Sequence, residues 1–101
     1  MKLEDAIYER KSCRKYSDEL IDDDEFRQIE EFITNAKTLN DTKFHYEILK
    51  KDKMSIKTRW SAPSYFAFYS QKSDNYMENI GFVFQQLSLF LHTLGIGTCW
   101  V

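Results

Sequence analysis

This sequence predicts an α+β fold in the order ααββαβ, and three observations lead there. Only 3 Gly and 1 Pro stand among 101 residues, too few turn-formers for a many-stranded sandwich. Apolar residues recur at helical spacing in three stretches, over 3–7, 26–36 and 76–94. Between the second and third stretches lie two short aromatic segments patterned as strands. The length suits a single domain over 1–101. A hydrophobic share of 43%, with 8 Phe, 6 Tyr and 2 Trp, provides a packed core and excludes a disordered chain.

The opening helix carries Leu3, Ala6 and Ile7 on one face and runs towards Arg10, and a polar turn follows at 16–18. The acidic run Asp22, Asp23, Asp24 and Glu25 supplies an N-cap and complements the positive end of a helix dipole. Behind it, Phe26, Ile29, Phe32, Ile33 and Ala36 mark the second helix. Residues 44–48 alternate as a half-buried strand, and 50–61 form a charged connection with no legible shape, closed by Ala62 and Pro63. The apolar run 64–69 reads as a strand covered on both faces.

The third helix covers 75–94, with Asn75 and Glu78 spaced as a capping box and Gly95 where a helix-ending glycine belongs. Its main stripe is Tyr76, Ile80, Val83, Phe84, Leu87, Leu91 and Leu94. Met77, Phe82, Leu89 and Phe90 fall outside that stripe, so the helix is apolar around most of its circumference. Such a helix sits inside a domain or between two subunits. Glu78, Gly81, Gln85, Ser88 and His92 share one narrow face, where the small residues permit close approach of a neighbouring helix. Residues 97–101 read as the start of a buried strand.

A net charge of -2 excludes a general nucleic-acid binder, which needs an excess of Lys and Arg against phosphate. The apolar runs are too short to span a bilayer, and the opening residues are charged and periodic rather than signal-like. Cys13 and Cys99 lie far apart with no metal-binding spacing, so no metal site is predicted; they read as reduced thiols of a cytoplasmic protein.

Two segments carry candidate chemistry. Arg10, Lys11, Ser12, Cys13, Arg14 and Lys15 crowd guanidinium, ammonium and hydroxyl donors at the end of the opening helix, a donor set suited to an anion. The same residues also read as a solvated basic patch balancing the acidic run at 22–25. The second segment is 94–100, with Gly95 and Gly97 two apart. These glycines follow a helix and precede a strand, the reverse of a dinucleotide fingerprint, so they read as a helix stop and a turn. Cys99 has no base beside it in sequence and reads as a small buried residue. His45 and His92 stand alone, and Trp60 reads as core.

Together the two segments resemble the FMN-dependent nitroreductase family. The run from Ala6 through Arg10, Lys11, Ser12, Cys13, Arg14, Lys15 and Tyr16 is similar to that family's start: a helix, then Arg-basic-Ser-x-basic, then an aromatic. The run from Asn79, Ile80 and Gly81 to Gly95, Ile96, Gly97, Thr98, Cys99 and Trp100 is similar to the long central helix and the Gly-x-Gly-Thr-Cys-Trp exit of the Thermotoga-type branch.

The resemblance implies that Arg10, Lys11, Ser12 and Arg14 hold the FMN phosphate and ribityl chain, with Trp100 beside the flavin. It implies hydride uptake from NAD(P)H, two-electron transfer to a nitro or quinone-like acceptor, and a homodimer with the flavin at its interface. The cofactor carries the chemistry, and no side chain is assigned as catalytic. The sequence departs from the family after the second helix. There, a Ser-x-x-Asn-x-Gln-Pro-Trp segment is matched only by Asn40, Thr42 and Phe44. Family domains are also about twice as long, so the chain is expected to be an N-terminal half, ending before the flavin site is complete. The competing expectation is a non-enzymatic remnant or dimerising interaction module without flavin.

Overall fold

The computed structural model describes residues 2–16, 20–50 and 62–100. It places five elements in chain order: α1 (Leu3–Glu9), α2 (Asp23–Thr34), β1 (Phe44–Lys50), β2 (Ser64–Ser70) and α3 (Tyr76–Thr93). The class is α+β, as the patterning predicts. The expected last strand contributes one parallel bridge, Ser12 to Thr98, rather than a ladder. The connection over 51–61 with Trp60, most of the turn at 16–18, and Val101 lie outside the described residues.

α2 begins where its sequence says it should. Asp22 Oδ1 accepts from the Glu25 amide at 2.7 Å, and Glu25 Oε1 accepts from the Asp22 amide at 3.2 Å. This reciprocal capping box satisfies donors that a helix start leaves open. From that start, Ile29 and Ile33 are buried, and the Phe32 ring stacks on Phe90 of α3 at 4.3 Å between centroids.

α3 ends as predicted but starts differently. Gly95 takes φ +80°, its amide donates to the His92 carbonyl at 3.0 Å, and the Ile96 amide reaches back to the Leu91 carbonyl at 2.9 Å. That pairing closes the helix and folds Ile96 onto the core. At the other end, Asn75 is left-handed (φ 60°, ψ 27°) and its side chain caps nothing, so the expected capping box with Glu78 does not form. Its carbonyl accepts instead from Asn40 Nδ2 at 3.3 Å.

Antiparallel pairing of β1 and β2 sets Tyr46 opposite Phe68 and Ile48 opposite Phe66. Phe44, Tyr46, Phe66 and Phe68 share one face and pack on the core of Ile29, Ile33, Leu87 and Leu91. On the other face His45 stacks on Tyr69, and Tyr69 remains 45% exposed. This core meets a single face of the sheet; on the other face Tyr65 and Ala67 are half-buried and only Tyr69 is exposed.

α1 packs on α3 with Ala6 fully buried, whereas its apolar neighbour Ile7 is 61% exposed. The segment between α2 and β1 is pinned to α3 by the fully buried Asn79. Its Oδ1 accepts from the Leu39 amide at 2.8 Å and the Asn40 amide at 3.4 Å, and its Nδ2 donates to the Thr42 carbonyl at 3.5 Å. Gln86 adds a reciprocal pair with the backbone of Lys37.

Candidate functional site

The two segments singled out in the sequence meet in space. At Arg10, the C-cap of α1, the backbone turns extended (φ -66°, ψ 134°), so the basic turn runs out alongside the chain that leaves α3 through Gly95. The Ser12–Thr98 bridge joins them, with the Cys13 amide donating to the Thr98 carbonyl at 2.9 Å. A Cβ on Gly97 would lie 2.8 Å from Cys13 Cβ, so only glycine permits this approach.

Thr98 is the knot of the site. Arg10 Nη2 donates to its carbonyl at 3.1 Å and to its Oγ1 at 3.0 Å, and that hydroxyl shares a 2.8 Å hydrogen bond with Ser88 of α3. Three elements thus converge on one threonine. Ser88 is fully buried, so its place on the small-residue face of α3 is used within the chain, at the exit segment. Arg10 Nε is buried with no hydrogen-bond partner among the described residues, a donor whose capacity the chain leaves unmet.

Beside this knot lies a cleft of about 700 Å³. Cys13 and Tyr16 from the basic turn line it, with Tyr65, Phe66 and Phe68 from β2, Ile80 and Phe84 from α3, and Cys99 and Trp100 from the exit segment. Trp100 packs on Phe84 with centroids 4.2 Å apart and is 47% exposed. Of the residues the sequence nominated, Trp100 sits in the cleft wall. Arg10, Lys11, Ser12 and Arg14 belong to the turn beside it, with Lys11, Ser12 and Arg14 exposed and Arg10 half-buried. The residues at the family's other flavin contact are used internally: Asn40 on the Asn75 carbonyl, Thr42 on the Ser73 hydroxyl, and Phe44 in the core.

Sequence reasoning missed Thr98, Ser88 and Asn79. Asn79 was legible in principle, since it lies at i−4 from Val83 on the row that continues to Leu87 and Leu91, all buried.

Burial pushes the Tyr16 phenol above its ordinary value, reinforced by the nearby Cys13, Cys99 and Tyr65 and partly offset by Arg10. Tyr46 is raised in the same way, by burial and then by Glu30. Above about pH 10 the unfolded chain gives up these protons before the folded one does, so stability should fall as pH rises through the folded values. Thermal melts from pH 8 to 11 should show this decline in the wild type and a shallower one in the Tyr16→Phe/Tyr46→Phe double variant. Identical slopes would remove the two phenols as its cause.

Among the described residues no three His, Cys, Asp or Glu side chains gather as a metal site, and no helix is long and apolar enough to cross a membrane. The family described as "Putative TM nitroreductase" matches residues 2–101. Searches of curated proteins and of solved structures give no match.

Proposed function

This chain belongs to that nitroreductase family, matched over residues 2–101, and from this premise we propose that it binds FMN as an NAD(P)H-dependent oxidoreductase domain. Its electron acceptor would be a small nitro or quinone-like compound. The observation that carries the reading is the Ser12–Thr98 bridge, which brings the basic turn and the Trp100 segment together at one aromatic cleft.

The donor set fits a flavin phosphate. Lys11, Ser12 and Arg14 are exposed on one turn, and the buried Arg10 Nε leaves a donor unmet among the described residues. Arg and Lys together supply the forked and point-charge contacts that phosphate favours. Bound FMN would supply hydride uptake and two-electron transfer. The chain's own task is to hold the phosphate at residues 10–14, present Trp100 as a flat face, and keep the exit segment fixed through Arg10, Thr98 and Ser88.

A homodimer through α3 belongs to the same proposal. A Cβ on Gly81 would meet nothing within 4 Å, while Met77 is 69% and Phe82 38% exposed around it. This open apolar surface suits a second copy. A cytoplasmic setting, with reduced thiols, completes the reading.

Fluorescence titration tests it. Charge-assisted hydrogen bonds are worth roughly 1.5–3 kcal/mol, so Arg14→Ala should bind FMN on the order of 10–100-fold more weakly than wild type. Undetectable flavin binding by the wild type, or wild-type affinity in both Arg14→Ala and Lys11→Ala, would defeat the assignment. Sedimentation of the same samples should give a dimer at micromolar concentration; a folded monomer would remove α3 as an interface.

A further inference from the structure

Cys13 and Cys99 take no part in the proposed flavin chemistry, yet the fold brings them together from opposite ends of the chain. Ser12 and Thr98 are bridged in parallel, and the Cys13 amide donates to the carbonyl of the peptide that leads into Cys99. In a regular parallel ladder the residues that follow two bridged partners lie opposite each other. Here the chains share one bridge, and the Cys13 amide's hydrogen bond to the Thr98 carbonyl holds residue 13 beside the peptide that leads into residue 99. Neighbouring parallel chains run about 4.8 Å apart, and a disulfide needs its Cα atoms about 4.4–6.8 Å apart.

The close approach at Gly97 draws Cys13 nearer to residue 97 than a regular ladder would. A Cβ there would lie 2.9 Å from Cys13 Sγ, so the thiol lies over residue 97, two residues before Cys99. Both thiols are free, half-buried and in the wall of the same cleft. Their own contacts are local: Cys13 Sγ donates to the Lys15 carbonyl at 3.1 Å and Cys99 Sγ to the Trp100 carbonyl at 3.4 Å. The Tyr16 phenol is influenced by both. Lys11, Arg14 and Lys15 flank Cys13 in sequence and give its surroundings positive charge.

We propose that Cys13 and Cys99 are a redox pair that closes to a reversible intramolecular disulfide, with an anionic low-molecular-weight disulfide as oxidant. One cysteine thiolate attacks a sulfur of the small disulfide, and the first small thiol leaves with that cysteine's proton. The second cysteine thiolate attacks the mixed disulfide, the second small thiol leaves with its proton, and the protein disulfide remains. Two cysteine thiols are oxidised and one small disulfide is reduced to two thiols. The bond would tie the basic turn to the exit segment across the cleft wall, adding a covalent link to the Ser12–Thr98 bridge. A chemical reductant, or excess small thiol, reopens it.

The experiment incubates the reduced protein with glutathione disulfide, blocks remaining thiols with iodoacetamide and measures intact mass and peptides. The expected product is monomeric, lighter by two hydrogens, and yields a peptide pair linked through Cys13 and Cys99. Its Tm should rise by about 10 °C or more and return on reduction, as a bond closing most of the chain implies. Cys13→Ser and Cys99→Ser should each retain one stable mixed disulfide. The proposal is overturned if the wild type instead carries two mixed disulfides, keeps both thiols alkylatable, or links only between copies on a non-reducing gel. None of these outcomes depends on flavin binding.

Discussion

Leu87→Ala is expected to cost about 2–5 kcal/mol of stability, the range for truncating a fully buried leucine. Leu87 has no exposed surface and lies in the cluster with Ile29, Ile33 and Leu91, on which Phe44, Tyr46, Phe66 and Phe68 of the sheet are laid. The cavity would open where α2, α3 and the strands meet, and none of these can move inward alone. Domains of this size hold only about 5–15 kcal/mol in total, so Tm should drop by roughly 10 °C or more. Tyr8, on α1 and 89% exposed, is the comparison: Tyr8→Ala should stay within about 0.5 kcal/mol of wild type. Urea titrations of both variants decide the point. Equal losses would mean that α3 is not buried on the face described.

Arg10→Ala should act twice, on stability and on flavin affinity. Its Nη2 gives hydrogen bonds to both oxygens of Thr98, and hydrogen bonds from charged donors contribute about 1.5–3 kcal/mol. The Thr98 carbonyl keeps its bond from the Cys13 amide, so the expected loss is near the lower end, about 2 kcal/mol. A double-mutant cycle with Thr98→Val should return a coupling of about 1 kcal/mol or more for the Oγ1 contact. Arg10→Lys should rescue only in part, since an ammonium lacks the planar fork. FMN titration of the same variants separates the roles. Affinity loss without a change in stability would make Arg10 a ligand alone, and stability loss with unchanged affinity would make it a clamp alone.

Much of the architecture was legible because local chemistry and tertiary packing agree. Asp22 with Glu25, the period-3.6 row through Ile29 and Ile33, and Gly95 each state one structural instruction, and nothing distant overrides them. At Asn75 the local instruction lost: the helix start is held by contacts from the α2–β1 segment, and Asn79, Gln86 and the Asn75 carbonyl take the polar partners. Apolar composition could not say how long the last segment and the basic turn stay parallel; among the described residues they share one bridge.

The candidate site was half legible. Residue types and spacing nominated the basic turn and Trp100, but that Arg10 would turn inward to Thr98 depends on a partner 88 residues away. No local pattern encodes such a contact.

That separation also orders events in time. Closing a segment of such length costs more chain entropy than forming α2 or the β1–β2 pairing, and nothing repays it until α3 and the sheet are already docked. Contacts of Arg10 and Cys13 with Thr98 should therefore form after the folding barrier, and their loss should register in the unfolding rate rather than the folding rate. The same argument applies in the native state. The Cys13 amide should exchange with solvent through a local opening far less costly than global unfolding, while amides in the middle of α3 wait for the whole molecule. The junction of the basic turn with Thr98 should be the last to assemble and the first to let go.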